Sequence, residues 1–167
     1  MTLATCDPEG RPSARVVLLK SCDEQGPVFF TNFLSRKGHE IGANPQAALC
    51  IHWPRDARQV RLEGVLEAVS DAEADAYFAS RPRGSQLGAW ASMQSSELPD
   101  RMTLLQRLQD MEKRFSGQSV PRPPHWSGYR MWTRRIEFWQ GRADRLHDRF
   151  LYLREPGTEW KRVRLAP

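Results

Sequence analysis

The sequence predicts a mainly β domain of the α+β class, a β-barrel decorated by several helices. Three observations carry that expectation. Short segments rich in Val, Leu and Thr, separated by turn residues, fill positions 1–70. Helical signals are confined to positions 35–41 and 70–115. Strand-type segments then return and run to the end, so the helices are insertions in a β framework. A chain of 167 residues suits one real core and is short for a second full domain, so residues 1–167 are expected to form a single domain.

The elements follow in order. Thr2–Cys6 alternates in polarity and ends at the turn Asp7-Pro8-Glu9-Gly10. Ser13–Lys20, rich in Val and Leu, reads as a buried strand and stops before Asp23-Glu24-Gln25-Gly26, a hairpin-like turn that leads into Val28–Thr31. Ser35 is placed to N-cap a short helix through Ile41, closed by Gly42 and stopped by Asn44-Pro45. Gln46–His52 and Arg58–Val69 read as two more strands. Ser70-Asp71-Ala72-Glu73 has capping-box spacing and opens a helix to Ser80, which Pro82 ends. Ser85–Ser92 is a short helix and Asp100–Phe115 a longer one, with Leu104, Leu105, Leu108, Met111 and Phe115 along one side. Pro121-Arg122-Pro123-Pro124 is a stiff connector, because too little chain follows it for a separate core. Tyr129–Thr133, Arg135–Gln140, Arg145–Arg154 and Trp160–Leu165 complete the strands.

Composition narrows the function classes. The N-terminus lacks a basic start followed by an apolar stretch, and the longest aliphatic run, Val16–Leu19, is far too short to span a bilayer. Three cysteines without C-x-x-C spacing suit a reducing cytoplasm and give neither a disulfide framework nor a zinc site, and the four histidines show no metal-ligand spacing. The net charge of +5 lies wholly in residues 130–167, which hold ten Lys or Arg against five Asp or Glu. A nucleic-acid surface and a pocket for phosphorylated small molecules both fit that excess.

Four constellations bear on the choice. Ser35-Arg36-Lys37 puts two cations and free N–H groups at the positive end of a helix, a ready phosphate site, with an exposed helix start as the plain alternative. In Ser80-Arg81-Pro82-Arg83-Gly84-Ser85, Arg81 shares a helix face with Tyr77 and Ser85 heads the next helix. Tyr, Arg and Ser together form a phosphate-monoester grip, against which stands a mere helix-breaking linker. Arg15 and Lys20 bracket the Val16–Leu19 run with opposite parity and need anions or solvent at both ends. Arg145, His147 and Arg149 alternate as on one face of a strand, just beyond the aromatic plane of Trp139, and the polar donors Gln94-Ser95-Ser96 add to the set. A solvated strand face is the plain alternative for the Arg/His alternation. There is no G-x-G-x-x-G, Walker loop or G-x-S-x-G elbow. Two phosphate grips with aromatic surface imply two phosphorylated aromatic ligands, or one with two phosphates.

The blocks RVVLLK, FFTNFLSRKGHEI, RQVRLEG, YFASRPRGSQLGAW, QSS, EFWQGRADRLHDR and the terminal RLAP closely resemble the pyridoxine (pyridoxamine) 5′-phosphate oxidase family, from about Thr2 to Pro167. The resemblance implies an FMN-binding split β-barrel, Greek-key-like in its connections, that works as a homodimer with cofactor sites at the subunit interface. It implies oxidation of a phosphorylated B6 vitamer to pyridoxal 5′-phosphate, with FMN accepting the hydride and O2 reoxidising it to H2O2, and no nucleic-acid or membrane partner. The family's FMN contacts fall on Arg15, Val16, Val17, Leu18, Leu19, Lys20, Phe30, Thr31, Arg36, Lys37, Gln59, Gln94, Ser95, Trp139 and Arg149. Its substrate contacts fall on Lys20, Tyr77, Arg81, Ser85, Arg145, Leu146 and His147. On this mapping Arg15, Arg36, Lys37 and Ser95 hold the FMN phosphate, and Tyr77, Arg81, Ser85 and Lys20 hold the substrate's. Arg145 and His147, the catalytic pair, lie over the pyridine ring, and Arg149 turns to the flavin. Phe30 stands where some relatives have Tyr.

Relatives usually carry an N-terminal arm that helps cover the substrate, whereas this sequence starts almost at the first strand, as a trimmed chain or a short homologue. A related FMN oxidase of the phenazine-pathway type and a flavin-binding protein without turnover are the alternatives. A basic nucleic-acid binder fits the charge alone and leaves both grips unexplained.

Overall fold

The computed structural model describes residues 1–167. Its strands are β1 (Thr2–Cys6), β2 (Pro12–Val16), β3 (Ser21–Asp23), β4 (Gly26–Asn32), β5 (Gln46–Trp53), β6 (Arg58–Ala68), β7 (Trp126–Gln140), β8 (Asp148–Leu153) and β9 (Lys161–Arg164). Its helices are α1 (Arg36–Ala43), α2 (Asp71–Ser80), α3 (Arg83–Ala91) and α4 (Arg101–Arg114). The strands form one sheet in the order β2-β1-β5-β6-β7-β4-β3, with β8 on β7 and β9 on β8. Antiparallel hairpin steps include Thr2 facing Val16 across β1 and β2, Gln46 facing Val65 across β5 and β6, and Trp139 facing Arg149 across β7 and β8, whereas β1 pairs with β5 across a longer connection. The sheet does not close, as a split barrel requires. No helix is long and apolar enough to cross a membrane.

The chain divides into two compact units. The first holds Met1–Phe29, Glu40–Glu67 and Arg130–Pro167, and the second Phe30–His39 and Ala68–Tyr129. The first has an apolar core that includes Leu3, Val28, Leu49, Leu66, Met131 and Leu151, from strands whose alternate side chains point inward. In the second, Phe78, Leu87, Phe115, Val120 and Trp126 form the buried cluster, with Leu108 and Met111 half-buried against it. The α4 stripe is narrower than its periodicity implies: Leu105 is exposed, and Phe115 serves as the C-cap residue and not as part of the helix.

Side-chain caps explain the starts of α2 and α4. The Ser70 side chain accepts from the Glu73 amide at 3.2 Å, and the Asp100 carboxylate from the Thr103 amide at 2.7 Å. The capping-box expectation therefore holds at α2. The C-terminus of α4 is tied by Arg83, which donates to the carbonyls of Phe115 and Gln118.

Four expectations need correction. The strand expected over Ser13–Lys20 ends at Val16, and its apolar residues face outward: Val16 is 76% and Leu18 66% exposed. Apolar content alone does not bury an edge strand; something must cover it. The two strands expected over Tyr129–Gln140 are a single strand, β7, of 15 residues. Ser21–Asp23 is an additional strand, pairing with β4 across the turn expected at 23–26. Finally, the strand expected from Arg145 begins only at Asp148.

Candidate active site

The second unit holds the residues expected at a phosphate, at the start of α1. Ser35 is fully buried; its hydroxyl donates to the Asn32 carbonyl at 2.6 Å and accepts from the Gly38 amide at 3.3 Å, which fixes the first turn. Gly38 is required there, since a Cβ would stand 2.1 Å from the Phe33 carbonyl oxygen. Lys37 is only 9% exposed, and its ammonium donates to Thr31 Oγ1 (3.2 Å), Ser35 Oγ (3.2 Å) and Gln94 Oε1 (3.1 Å). Three residues distant in sequence and assigned to one ligand, Thr31, Lys37 and Gln94, therefore meet. Ser95, beside them in the chain, adopts φ 72°, a left-handed conformation that costs a non-glycine residue of order 1 kcal/mol. Arg36 is exposed at the same helix end.

Three of the residues expected at the substrate phosphate, Tyr77, Arg81 and Ser85, lie in the same unit. Phe30 stacks on Tyr77 with ring centroids 4.0 Å apart and lies nearly parallel to Trp126 at 5.4 Å. Arg81 lies over Trp126 at 4.6 Å. It is not on the helix with Tyr77 as expected: it is the extended C-cap residue of α2, at φ −74° and ψ 148°. Pro82 forces this, because the residue before proline avoids the helical region. Burial holds the Arg81 guanidinium below its ordinary pKa, and its Nη1 is buried without a hydrogen-bond partner. A buried guanidinium N–H without an acceptor is costly and suits an anion. Ser85 is exposed in the first turn of α3, which starts at Arg83 and so earlier than expected.

In the first unit, Arg15 is held by an acid that sequence reasoning missed. Buried Glu40 accepts from Thr5 Oγ1 at 2.5 Å and Ser13 Oγ at 2.6 Å, and pairs with Arg15 Nη2 at 3.1 Å. Arg15 also donates to Thr5 and Ser13. Beyond β2, Val17 and Lys20 are fixed through their amides, which donate to the Met1 and Val28 carbonyls at 2.9 Å each.

A cleft of about 400 Å³ in this unit is lined by Trp53, Gln59, Phe138, Trp139, Arg142 and Asp148, among others. It contains two of the expected cofactor contacts, Gln59 and Trp139. The Cys50 thiol donates to Gln59 Oε1 at 3.5 Å.

The Arg/His segment corrects the alternation argument. Residues Ala143–Arg145 form a 3-10 turn in which Asp144 (φ 55°) and Arg145 (φ 59°) are both left-handed. Arg145 and His147 therefore leave the strand, and only Arg149 remains on it. Period-two spacing identifies a strand only where the backbone is extended, and the left-handed Asp144 and Arg145 break it; Gly141 anchors the start of the turn. The Gly141 amide donates to the Ala57 carbonyl at 2.7 Å, and a Cβ there would meet Ala57 Cβ at 2.8 Å and Trp139 at 3.2 Å. Leu146 is 68% exposed. The His147 ring packs against Trp139, centroids 4.6 Å apart, and Arg149 pairs with buried Glu137.

Comparison with known proteins bears on these groups. Residues 1–115 match the family described as pyridoxamine 5′-phosphate oxidase, and residues 126–167 the pyridoxine 5′-phosphate oxidase C-terminal dimerisation region. The pyridoxine/pyridoxamine 5′-phosphate oxidase 1 of Ralstonia nicotianae is 62% identical over all of this chain and 78% of its own length. The pyridoxine/pyridoxamine 5′-phosphate oxidase of Rubrobacter xylanophilus is 60% identical over all of this chain and 76% of its own. Among solved structures, PhzG from Burkholderia lata, in complex with tetrahydrophenazine-1-carboxylic acid, superposes with a TM-score of 0.93 at 34% identity, covering 99% of this chain and 81% of that one. An FMN-binding protein related to pyridoxamine 5′-phosphate oxidase, from Nostoc punctiforme, shares the fold with a TM-score of 0.79 at 20% identity, over 99% of this chain and 87% of its own.

Proposed function

The chain belongs to the pyridoxamine 5′-phosphate oxidase family, and from that premise we propose that it is an FMN-dependent oxidase converting pyridoxine or pyridoxamine 5′-phosphate to pyridoxal 5′-phosphate in vitamin B6 salvage. The observation that carries the substrate class is Arg81, a half-buried cation on an aromatic shelf whose buried Nη1 has no hydrogen-bond partner. A phosphate monoester supplies the charge and the acceptor oxygens that such a group needs. Tyr77, Ser85 and Lys20 complete the grip on this reading.

The residues present also fit FMN. The Lys37 ammonium, the Thr31 and Ser35 hydroxyls and the start of α1 form a polar, cationic corner suited to a phosphate, with Arg36 at the same helix end and Ser95 next to Gln94 in the chain; the family resemblance assigns Arg15 to the same phosphate. Gln59, Trp139 and Arg149 would take other parts of the cofactor, with Gln94 and the backbone of Val16–Lys20, Phe30 and Thr31. The chemistry FMN supplies when bound is acceptance of a hydride, with O2 carrying the electrons on to H2O2. A guanidinium offers donors and no acceptor lone pair, so Arg145 serves to position the ring and stabilise charge and not to abstract a proton.

A homodimer is part of the proposal. The match to a dimerisation region and the outward-facing Val16, Leu18 and Leu146 support it, because apolar side chains this exposed need a cover.

The similarity to PhzG favours a second reading, oxidation of a non-phosphorylated tricyclic acid. The test presents purified yellow protein with pyridoxine 5′-phosphate, with pyridoxine, and with tetrahydrophenazine-1-carboxylic acid. H2O2 from the first alone is expected. Turnover of the tricyclic acid without turnover of the phosphate ester would transfer the assignment to the second reading.

A further inference from the structure

The turn between β7 and β8 determines which nitrogen of His147 carries a proton. The Arg142 backbone N–H points at His147 Nδ1, with N···N 3.1 Å. A backbone amide only donates, so Nδ1 must offer its lone pair; a protonated Nδ1 would set two donors against each other. The neutral ring therefore bears its hydrogen on Nε2. Several contacts hold the amide in place. Arg142 Nε pairs with Asp148 Oδ2 at 2.8 Å, and the other Asp148 oxygen meets Arg164 Nη1 at 3.3 Å. Gly141 is pinned to the Ala57 carbonyl, the Leu146 amide donates to the Ala143 carbonyl at 3.1 Å, and Trp139 backs the ring.

We propose that His147 works as a hydrogen-bond donor through Nε2–H, and that Asp148 is a positioning residue that fixes this tautomer by holding Arg142. The donor role rests on the oxidase reading above; the tautomer does not. A neutral His147 of this kind cannot take a proton from the ligand at Nε2, since the only lone pair on the ring is spent on the turn. His147 is thereby assigned to orienting the ligand and not to carrying its proton. Fixing a ring nitrogen's role through the hydrogen bond made by the other is a general device of histidine sites.

The test uses 15N-histidine-labelled holoenzyme, with the His147 signals identified by their loss in His147→Gln. At a pH where the ring is neutral, an unprotonated Nδ1 and a protonated Nε2 are expected, and the reverse pattern overturns the proposal. In Asp148→Asn and Arg142→Met, which release the same contact from opposite ends, a mixture of tautomers is expected. kcat/KM should fall about ten- to a hundredfold while FMN stays bound. A single Nε2–H tautomer with unchanged kcat/KM in both variants would remove Asp148 from this role. Absence of H2O2 formation by the wild type would overturn the oxidase reading and leave the tautomer result standing.

Discussion

Arg149 grips Glu137 through two nitrogens, Nε to Oε1 and Nη2 to Oε2, each at 3.1 Å. Glu137 is 3% exposed on β7, and Arg149 lies on β8 opposite Trp139, two residues along β7 from Glu137 and on the same face. The hydrogen bonds from Arg149 hold the Glu137 carboxyl below its ordinary range; burial opposes this, and the charges of Arg61, Arg149 and Arg135 assist it. The arrangement orients a cation expected at the flavin and keeps a buried acid ionised.

Its first consequence concerns acid stability. A depressed folded pKa contributes stability that is present above the unfolded value, about 4.3, and is lost as pH falls through the folded value. Glu137→Gln should cost roughly 1.5–3 kcal/mol at neutral pH, and the gap to wild type should narrow towards about pH 3. Urea unfolding across that range measures it. A gap that does not change with pH would mean the pair contributes no charge-dependent stability.

Lys37→Ala should weaken FMN binding by about one to two powers of ten, corresponding to loss of a charge-assisted phosphate bond of roughly 1.5–3 kcal/mol. Flavin fluorescence titration is the measurement. Unchanged affinity would reduce the start of α1 to an internally satisfied helix end.

Arg145→Met and Arg149→Met should separate. The first should lower kcat/KM by about ten- to a thousandfold with FMN retained, as misplaced ring geometry predicts. The second should cost FMN affinity. If Arg145→Met loses FMN while its residual holoenzyme turns over normally, the role given to this turn is wrong.

Gly141→Ala tests the anchoring of the turn. The new methyl would stand 2.8 Å from Ala57 Cβ and 3.2 Å from the Trp139 ring, so one of them must move. A destabilisation of about 1–3 kcal/mol is expected in chemical unfolding, with a drop in kcat/KM because His147 leans on the displaced ring. Wild-type stability together with wild-type kinetics would show that Ala57 yields freely.

Sedimentation should show a dimer in the micromolar range. Val16, Leu18 and Leu146 each expose an apolar side chain, and the sheet has open edges. A stable monomer that keeps FMN would remove the shared-site model.

What could be read from the sequence was whatever is local. Ser70 and Asp100 cap their helices because the capping side chain and the amide it serves are three residues apart. The strand-and-turn rhythm of positions 1–70 gave the β framework for the same reason, and the family motifs gave the set of site residues as a resemblance. Tertiary structure decided everything that depends on partners distant in the chain. Glu40 meets Arg15 from 25 residues away and Gln94 meets Lys37 from 57, and no local pattern marks either. It also overruled two local signals. The apolar Val16–Leu19 run is exposed in large part, because burial depends on what lies against a strand and not on its composition. Arg145 and His147 keep their alternate spacing in sequence but not in space, since two left-handed residues between Gly141 and Asp148 turn the backbone out of the strand.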